Sequence, residues 1–186
     1  MRRLFIFDCF GVVLGEIAPV WFKNRFGSKG DTLKEKYFSG GDRGEKNISE
    51  ILNDISHDLG IDKATIAEEW GQLVEIDYGL LEIIESLRKT DAVALLTNVA
   101  SGLIEKLFDK FSLNGYFDKI FVSGDMKVAK PDALAYKTCV NSFDEEFSEI
   151  FMIDDNRKNL IGLGKLNITP VLYAGSKEFA DYLRRI

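Results

Sequence analysis

Cysteine is scarce: Cys9 and Cys139 are the whole complement. They lie far apart without metal-like spacing, which reads as two free thiols in a reducing compartment. Histidine is scarcer still. His57 stands alone beside Asp58 in a helix-like stretch, where a surface position is the expectation. Positive charge is in deficit, with 24 Lys and Arg against 30 Asp and Glu and a formal net charge of -6, so a nucleic-acid partner gains no electrostatic help. No apolar run approaches the ~18 residues of a membrane span, and the N-terminal stretch is too short and too quickly acidic for a signal peptide. Neither repeats nor low-complexity segments occur. The expected setting is the cytoplasm, with no membrane partner.

What is present begins with Leu4-Phe5-Ile6-Phe7, which runs straight into Asp8, with Gly11 three positions on. A continuous apolar run without alternation suits a strand buried on both faces of a parallel sheet. An aspartate at the end of such a strand sits where open α/β sheets place their ligands, and Gly11 would let the backbone turn sharply there.

Residues 14–78 have a different grammar. Apolar residues recur at helical spacing, as in Ile48, Ile51, Leu52 and Ile55 or Ile66, Trp70 and Leu73, and no strand signal appears. Gly40-Gly41-Asp42-Arg43-Gly44 breaks the helices in the middle; Ser49 and Asp62 are the expected helix starts. Trp21 and Trp70 are expected to pack rather than stack on bases, and Arg43 to face solvent. This stretch reads as a helical subdomain inserted between residues 1–13 and 79–186.

From residue 80 helices and strands alternate. Strands are expected at 92–96, ending on Thr97-Asn98, at 119–122, ending on Ser123-Gly124-Asp125, at 149–153, ending on Asp154-Asp155, and at 170–173. Helices are expected at 80–89, at 101–111, opening at Lys130-Pro131-Asp132 with Pro131 at the first position, from Asn156, and at the C-terminal end. Five strands alternating with helices predict an α/β fold: a Rossmann-like, doubly wound parallel sheet with the inserted helical subdomain.

In that architecture the first and fourth strands are expected to be neighbours. Asp8, Asp154 and Asp155 then converge on one edge, where they repel one another unless a cation binds between them. Oxygen-only ligands with open positions suit Mg²⁺. Asn159, one turn after Asp155, is placed to hold that carboxylate. Thr97 and the amides after it can form an anion cradle at a helix start, and Lys130 supplies a compact positive charge.

Four short motifs, Phe7-Asp8-Cys9-Phe10-Gly11-Val12, Leu95-Leu96-Thr97-Asn98, Lys130-Pro131-Asp132 and the run Ile153-Asp154-Asp155-Asn156-Arg157-Lys158-Asn159, together span nearly the whole chain. In this set the chain resembles the haloacid dehalogenase-like (HAD) hydrolase superfamily. The insert looks like the small helical cap of its phosphoglycolate phosphatase-like branch. Asp42-Arg43-Gly44-Glu45 with Ile48-Ser49-Glu50 is similar to the cap segment of bacterial sugar-phosphate phosphatases.

The resemblance implies a Mg²⁺-dependent phosphatase of small phosphorylated metabolites, sugar phosphates among them, working as a monomer or homodimer. Asp8 would attack phosphorus and form an aspartyl-phosphate. Thr97, the Asn98 amide and the Phe10-Gly11 turn would bind the phosphoryl group, and Lys130 would bridge it to Asp8. Mg²⁺ would be held by Asp8, the Phe10 carbonyl and Asp155, with Asp154 reaching it through water. One departure stands out: family phosphatases carry an acid two positions after the nucleophile, and here that position is Phe10. Glu16 and Glu45 are the candidate substitutes. Family dehalogenases carry an aromatic residue at this position, so metal-free carbon–halogen hydrolysis is the alternative. A phosphate-binding protein with little turnover is a third.

Overall fold

The computed structural model describes residues 1–186. At its centre lies β1 (Leu4–Phe7), all four residues of which are buried. Alternate side chains of a strand face opposite ways, so Phe5 and Phe7 join the larger apolar cluster and Leu4 and Ile6 the smaller one across the sheet. Burying each phenylalanine contributes about 1.5–3 kcal/mol. Phe5 stacks on Phe151 with ring centroids 4.9 Å apart, and Phe7 meets Phe179 edge-on at 5.6 Å.

Four further strands complete the sheet: β2 (Ala92–Thr97), β3 (Lys119–Val122), β4 (Ile150–Asp154) and β5 (Thr169–Leu172). All pairings are parallel, in the order β3-β2-β1-β4-β5. Leu4 is in register with Ala92 on one side and with Ile150 on the other. The expected adjacency of first and fourth strands holds, so the carboxyl ends of β1 and β4 emerge side by side.

Between β1 and α5 (Tyr78–Leu87) the chain forms α1 (Ala18–Phe26), α2 (Gly30–Phe38), α3 (Ile48–Leu59) and α4 (Lys63–Gln72), with no strand among them. The two connections to this insert run side by side, through a Leu14–Ile76 bridge and a Gly15 N–H to Glu75 carbonyl bond of 2.8 Å. Aromatic packing holds the helices together: Trp21 lies 4.8 Å from Phe22 and 6.3 Å from Trp70, and Phe38 lies 6.1 Å from Trp70. No helix of the protein is long and apolar enough to cross a membrane.

The remaining helices are α6 (Leu103–Phe111), α7 (Ser123–Met126), α8 (Ala133–Asn141), α9 (Arg157–Leu160) and α10 (Ser176–Leu183). Several starts differ from expectation. Helix α3 is capped by Asn47, not Ser49: the Asn47 carboxamide accepts from the Ser49 and Glu50 amides at 2.9 and 3.0 Å, and Glu50 accepts from the Asn47 amide at 2.8 Å. That reciprocal pairing satisfies amides the helix leaves free. Asp62 does cap α4. Pro131 is not in the first turn of α8; Asp132 caps that helix from outside it, accepting from the Leu134 amide at 2.9 Å. Strand β3 ends at Val122 as expected, and Ser123-Gly124-Asp125 opens the short α7.

Candidate active site

Three of the five strand ends, those of β1, β2 and β4, contribute a functional group to the same edge. Asp8 follows β1, with its amide bonded to the Ile153 carbonyl of β4 at 2.9 Å. Asp154 ends β4 and Thr97 ends β2, both buried. The carboxylates of Asp8, Asp154 and Asp155 bring one oxygen each within 4.8 Å of one another. Lys130 arrives from the connection between α7 and α8. Its side chain is fully buried, and Nζ donates to Asp8 Oδ2 at 2.9 Å and Asp154 Oδ2 at 2.7 Å.

Asp154 and Asp155 are adjacent in sequence but have different surroundings. Asp154 accepts from Lys130 Nζ, from the Asn156 amide at 2.8 Å, and from Asn159 Nδ2 at 3.1 and 3.0 Å. Asn159 therefore holds Asp154, not Asp155 as expected. The reason is local: Asp155 precedes the Asn156 cap of α9, outside the helix, while Asn159 is buried beside the strand end. Asp155 instead turns toward Gly11, where a β-carbon would lie 2.3 Å from its Oδ2.

A second correction concerns Thr97. It is the last residue of β2, and α6 begins only at Leu103, so its hydroxyl belongs to a strand end and not to a helix start. The Asn98 carboxamide, in turn, bonds the Lys130 backbone in both directions. Sequence reasoning gave that side chain no role. It also missed the buried Tyr136, whose hydroxyl donates to the Asn159 carbonyl at 2.5 Å. An aromatic residue within a helix looks like ordinary core, and no spacing rule marks it.

Above these groups lies a cavity of about 1000 Å³ between the sheet edge and the insert. The core side presents Asp8, Phe10, Thr97 and Asp155; the insert side presents Lys34, Phe38, Arg43 and Trp70 among others. Glu16 and Glu45 also face it, whereas His57 is exposed elsewhere, beside Asp58. Trp70 both packs in the aromatic cluster and closes one wall.

The family model for haloacid dehalogenase-like hydrolases matches residues 3–167. The chain belongs to that family. Its fold is similar to a HAD family enzyme from Bacteroides thetaiotaomicron at a TM-score of 0.81, with 20% identity over 98% of each chain. That enzyme has also been solved in complex with magnesium and inorganic phosphate; the complex aligns at a TM-score of 0.76 with 21% identity, over 94% of this chain and 96% of that one. An L-2-haloacid dehalogenase from Xanthobacter autotrophicus, carrying covalently bound chloropropionic acid, aligns at 0.66 with 15% identity, over 94% of this chain and 78% of that one. In sequence, the whole chain is 21% identical to part of a drimenol cyclase from Aspergillus calidoustus. The chain spans 37% of that relative's length.

Charge at the sheet edge of this HAD-like hydrolase is out of balance. Burial pushes the Asp8 carboxyl up to about 7, against the pull of the Lys130 ammonium and with a further push from Asp154. Asp155 is raised as well, by partial burial and then by the negative charge of Asp154. Three carboxylates share one ammonium, so a divalent cation would restore neutrality. The Asp154 oxygens are taken by Lys130, Asn156 and Asn159, while Asp155 has no side-chain partner. An all-oxygen donor set beside an open cavity fits Mg²⁺ and leaves room for water or substrate oxygens.

Proposed function

We propose that this HAD-like hydrolase is a Mg²⁺-dependent phosphatase of small phosphorylated metabolites. The observation that carries the reading is the Lys130 ammonium lying between Asp8 and Asp154, with Asp155 beside them, under a cavity of metabolite size. The magnesium and phosphate complex of the Bacteroides enzyme supports it by analogy.

In this mechanism Asp8 attacks phosphorus, a P–O bond forms to its carboxylate, and the P–O bond to the leaving group breaks. Water then attacks the aspartyl-phosphate, breaking the bond to Asp8 and releasing phosphate. Lys130 offsets the charge on Asp8 and on the phosphoryl oxygens in transit. The Thr97 hydroxyl and the Asn98 amide orient those oxygens. Mg²⁺ would be held by Asp8, the Phe10 carbonyl and Asp155, with Asp154 behind water, and would supply charge neutralisation for the phosphoryl group. Residues 14–78 act as a cap that closes over the substrate and selects it; the cavity lining by Phe38, Trp70 and Arg43 supports this. Phe10 cannot carry a proton, so substrates with stable leaving groups are favoured.

The test is phosphate release from p-nitrophenyl phosphate and from a panel of phosphometabolites with Mg²⁺. Asp8→Asn is expected to abolish release; turnover equal to wild type would remove Asp8 as the nucleophile. A second reading is favoured by Phe10, an apolar residue lining the cavity with Asp8 where an acid would serve a phosphatase. In carbon–halogen hydrolysis Asp8 would displace halide from carbon and water would then cleave the ester, with no proton delivered to the leaving group. Chloride release from a 2-haloacid in EDTA would establish that reading and overturn the first.

A further inference from the structure

We infer that Asn98 is a positioning residue whose side chain sets the place of the Lys130 ammonium. The inference rests on the phosphatase reading for its kinetic consequence, though not for its geometry. Lys130 lies in the connection between α7 and α8, so neither helix nor sheet fixes its backbone. Asn98 does so from both sides of the residue. Its Oδ1 accepts from the Lys130 N–H at 2.8 Å, and its Nδ2 donates to the Lys130 carbonyl at 2.8 Å. A carboxamide pairs with a backbone in this way as another peptide would, since it offers one acceptor and donors in one plane. No other side chain bonds the Lys130 backbone.

From that fixed start the Lys130 side chain runs, wholly buried, to Asp8 and Asp154. A long, flexible lysine stem has several rotamers open to it and is placed only as well as its Cα is. Loosening the two peptide planes around Lys130 would let Nζ drift from two carboxylates that must not be left buried and unpaired. The same arrangement engages the Asn98 oxygen and one of its two N–H donors with Lys130, and leaves a single N–H for any other partner. Asn98 also follows Thr97 at the end of β2, so one residue ties the proposed phosphate-binding strand end to the proposed charge-bearing loop across 32 positions of sequence.

A neighbouring bond supplies the control. Ser123 Oγ, fully buried at the start of α7, accepts from the Val99 amide at 3.0 Å, one residue past Asn98. It staples the same loop without touching Lys130. Removing Ser123 should weaken the loop; removing Asn98 should weaken the loop and misplace the lysine.

The experiment compares Asn98→Ala, Ser123→Ala and Lys130→Ala, alone and in pairs, with p-nitrophenyl phosphate and Mg²⁺. Asn98→Ala is expected to lower kcat/KM by about 10²-fold, the scale of a misplaced catalytic group. In the Lys130→Ala background it is expected to do almost nothing, because the lysine through which it acts is gone, whereas Ser123→Ala should have the same fractional effect in both backgrounds. An Asn98→Ala effect that persists in full without Lys130, or is absent with it, overturns the inference. Asn98→Asp keeps the acceptor for the Lys130 N–H and loses the donor; its rate should fall between wild type and Asn98→Ala, and a wild-type rate would overturn the two-bond argument. If no phosphate ester is turned over, the phosphatase reading fails, and a crystal structure of either Asn98 variant decides this one: Nζ displaced from Asp8 and Asp154 upholds it, and both contacts retained overturn it.

Discussion

Gly11 leaves the space that the Asp155 carboxylate fills. A β-carbon on Gly11 would lie 2.3 Å from Asp155 Oδ2 and 2.5 Å from its Cγ, and the glycine sits at φ +79°. Both constraints exclude a side chain, one by contact and one by backbone conformation. The turn after Asp8 is therefore shaped so that a residue from the end of β4 can reach over it. Gly11→Ala is expected to cost about 1–3 kcal/mol of stability through the left-handed backbone alone. The displaced Asp155 is expected to raise the Mg²⁺ concentration needed for activity about tenfold or more. Thermal melts and Mg²⁺ titrations of activity check the two effects separately. A variant that lost stability but kept its Mg²⁺ dependence would remove Asp155 from the ion's ligands.

The raised Asp8 carboxyl makes stability depend on pH in a definite direction. Its value in the fold is pushed up to about 7 from an ordinary 3.8, first by burial. Between those values the folded protein holds a proton that the unfolded chain releases, so this group's contribution is fully present below about 4 and is lost as pH rises through about 7. Metal-free protein is therefore expected to lose stability from this site between pH 4 and pH 7, and Asp8→Asn to lose none there. Melting temperatures in EDTA should show Asp8→Asn pulling ahead of wild type across that window, and a gap that does not change with pH would refute it. Because cation binding needs the ionised carboxylate, Mg²⁺ should stabilise the wild type less as pH falls below about 7.

Much of this edge was legible because it depends on strands. Apolar runs ending in Asp8 and in Asp154-Asp155 named two buried strands, and parallel sheets bring such ends together. The helices of residues 14–78 were legible from residues such as Ile48, Ile51 and Ile55, whose spacing is helical and which are all fully or almost fully buried. What escaped was decided by side chains pairing with backbone across loops. Asn47 rather than Ser49 caps α3 because Glu50 answers it, and either residue type would satisfy the cap preference. Asn159 sits four positions after Asp155, which in a continuous helix would make them neighbours. The helix begins after Asp155, and the amide turns to Asp154 instead. The Asn98 pairing with Lys130 depends on the path of the intervening chain, and no local rule encodes it.

Phe10 leaves the proposed chemistry at Asp8 without a proton donor two positions on for a poor leaving group. Phe10 lines the cavity two positions after Asp8 and offers only a ring. Glu16 faces the same cavity, with a carboxyl raised by burial and by the charge of Asp155, against the pull of Lys34. A carboxyl so raised keeps its proton to higher pH, which suits Glu16 to a general acid's task. Phe10→Asp is expected to speed hydrolysis of alkyl phosphates more than that of p-nitrophenyl phosphate, whose leaving group departs unaided; general acid–base help is worth about 10²–10⁴-fold. Glu16→Gln in the wild-type background separates the two sources. If Glu16 already supplies the proton, that change slows alkyl phosphates selectively and Phe10→Asp restores them. If it does not, Glu16→Gln leaves the ratio of the two substrates unchanged and the Phe10→Asp gain stands alone. Equal acceleration of both substrates by Phe10→Asp would show that the leaving group's proton is not what position 10 withholds.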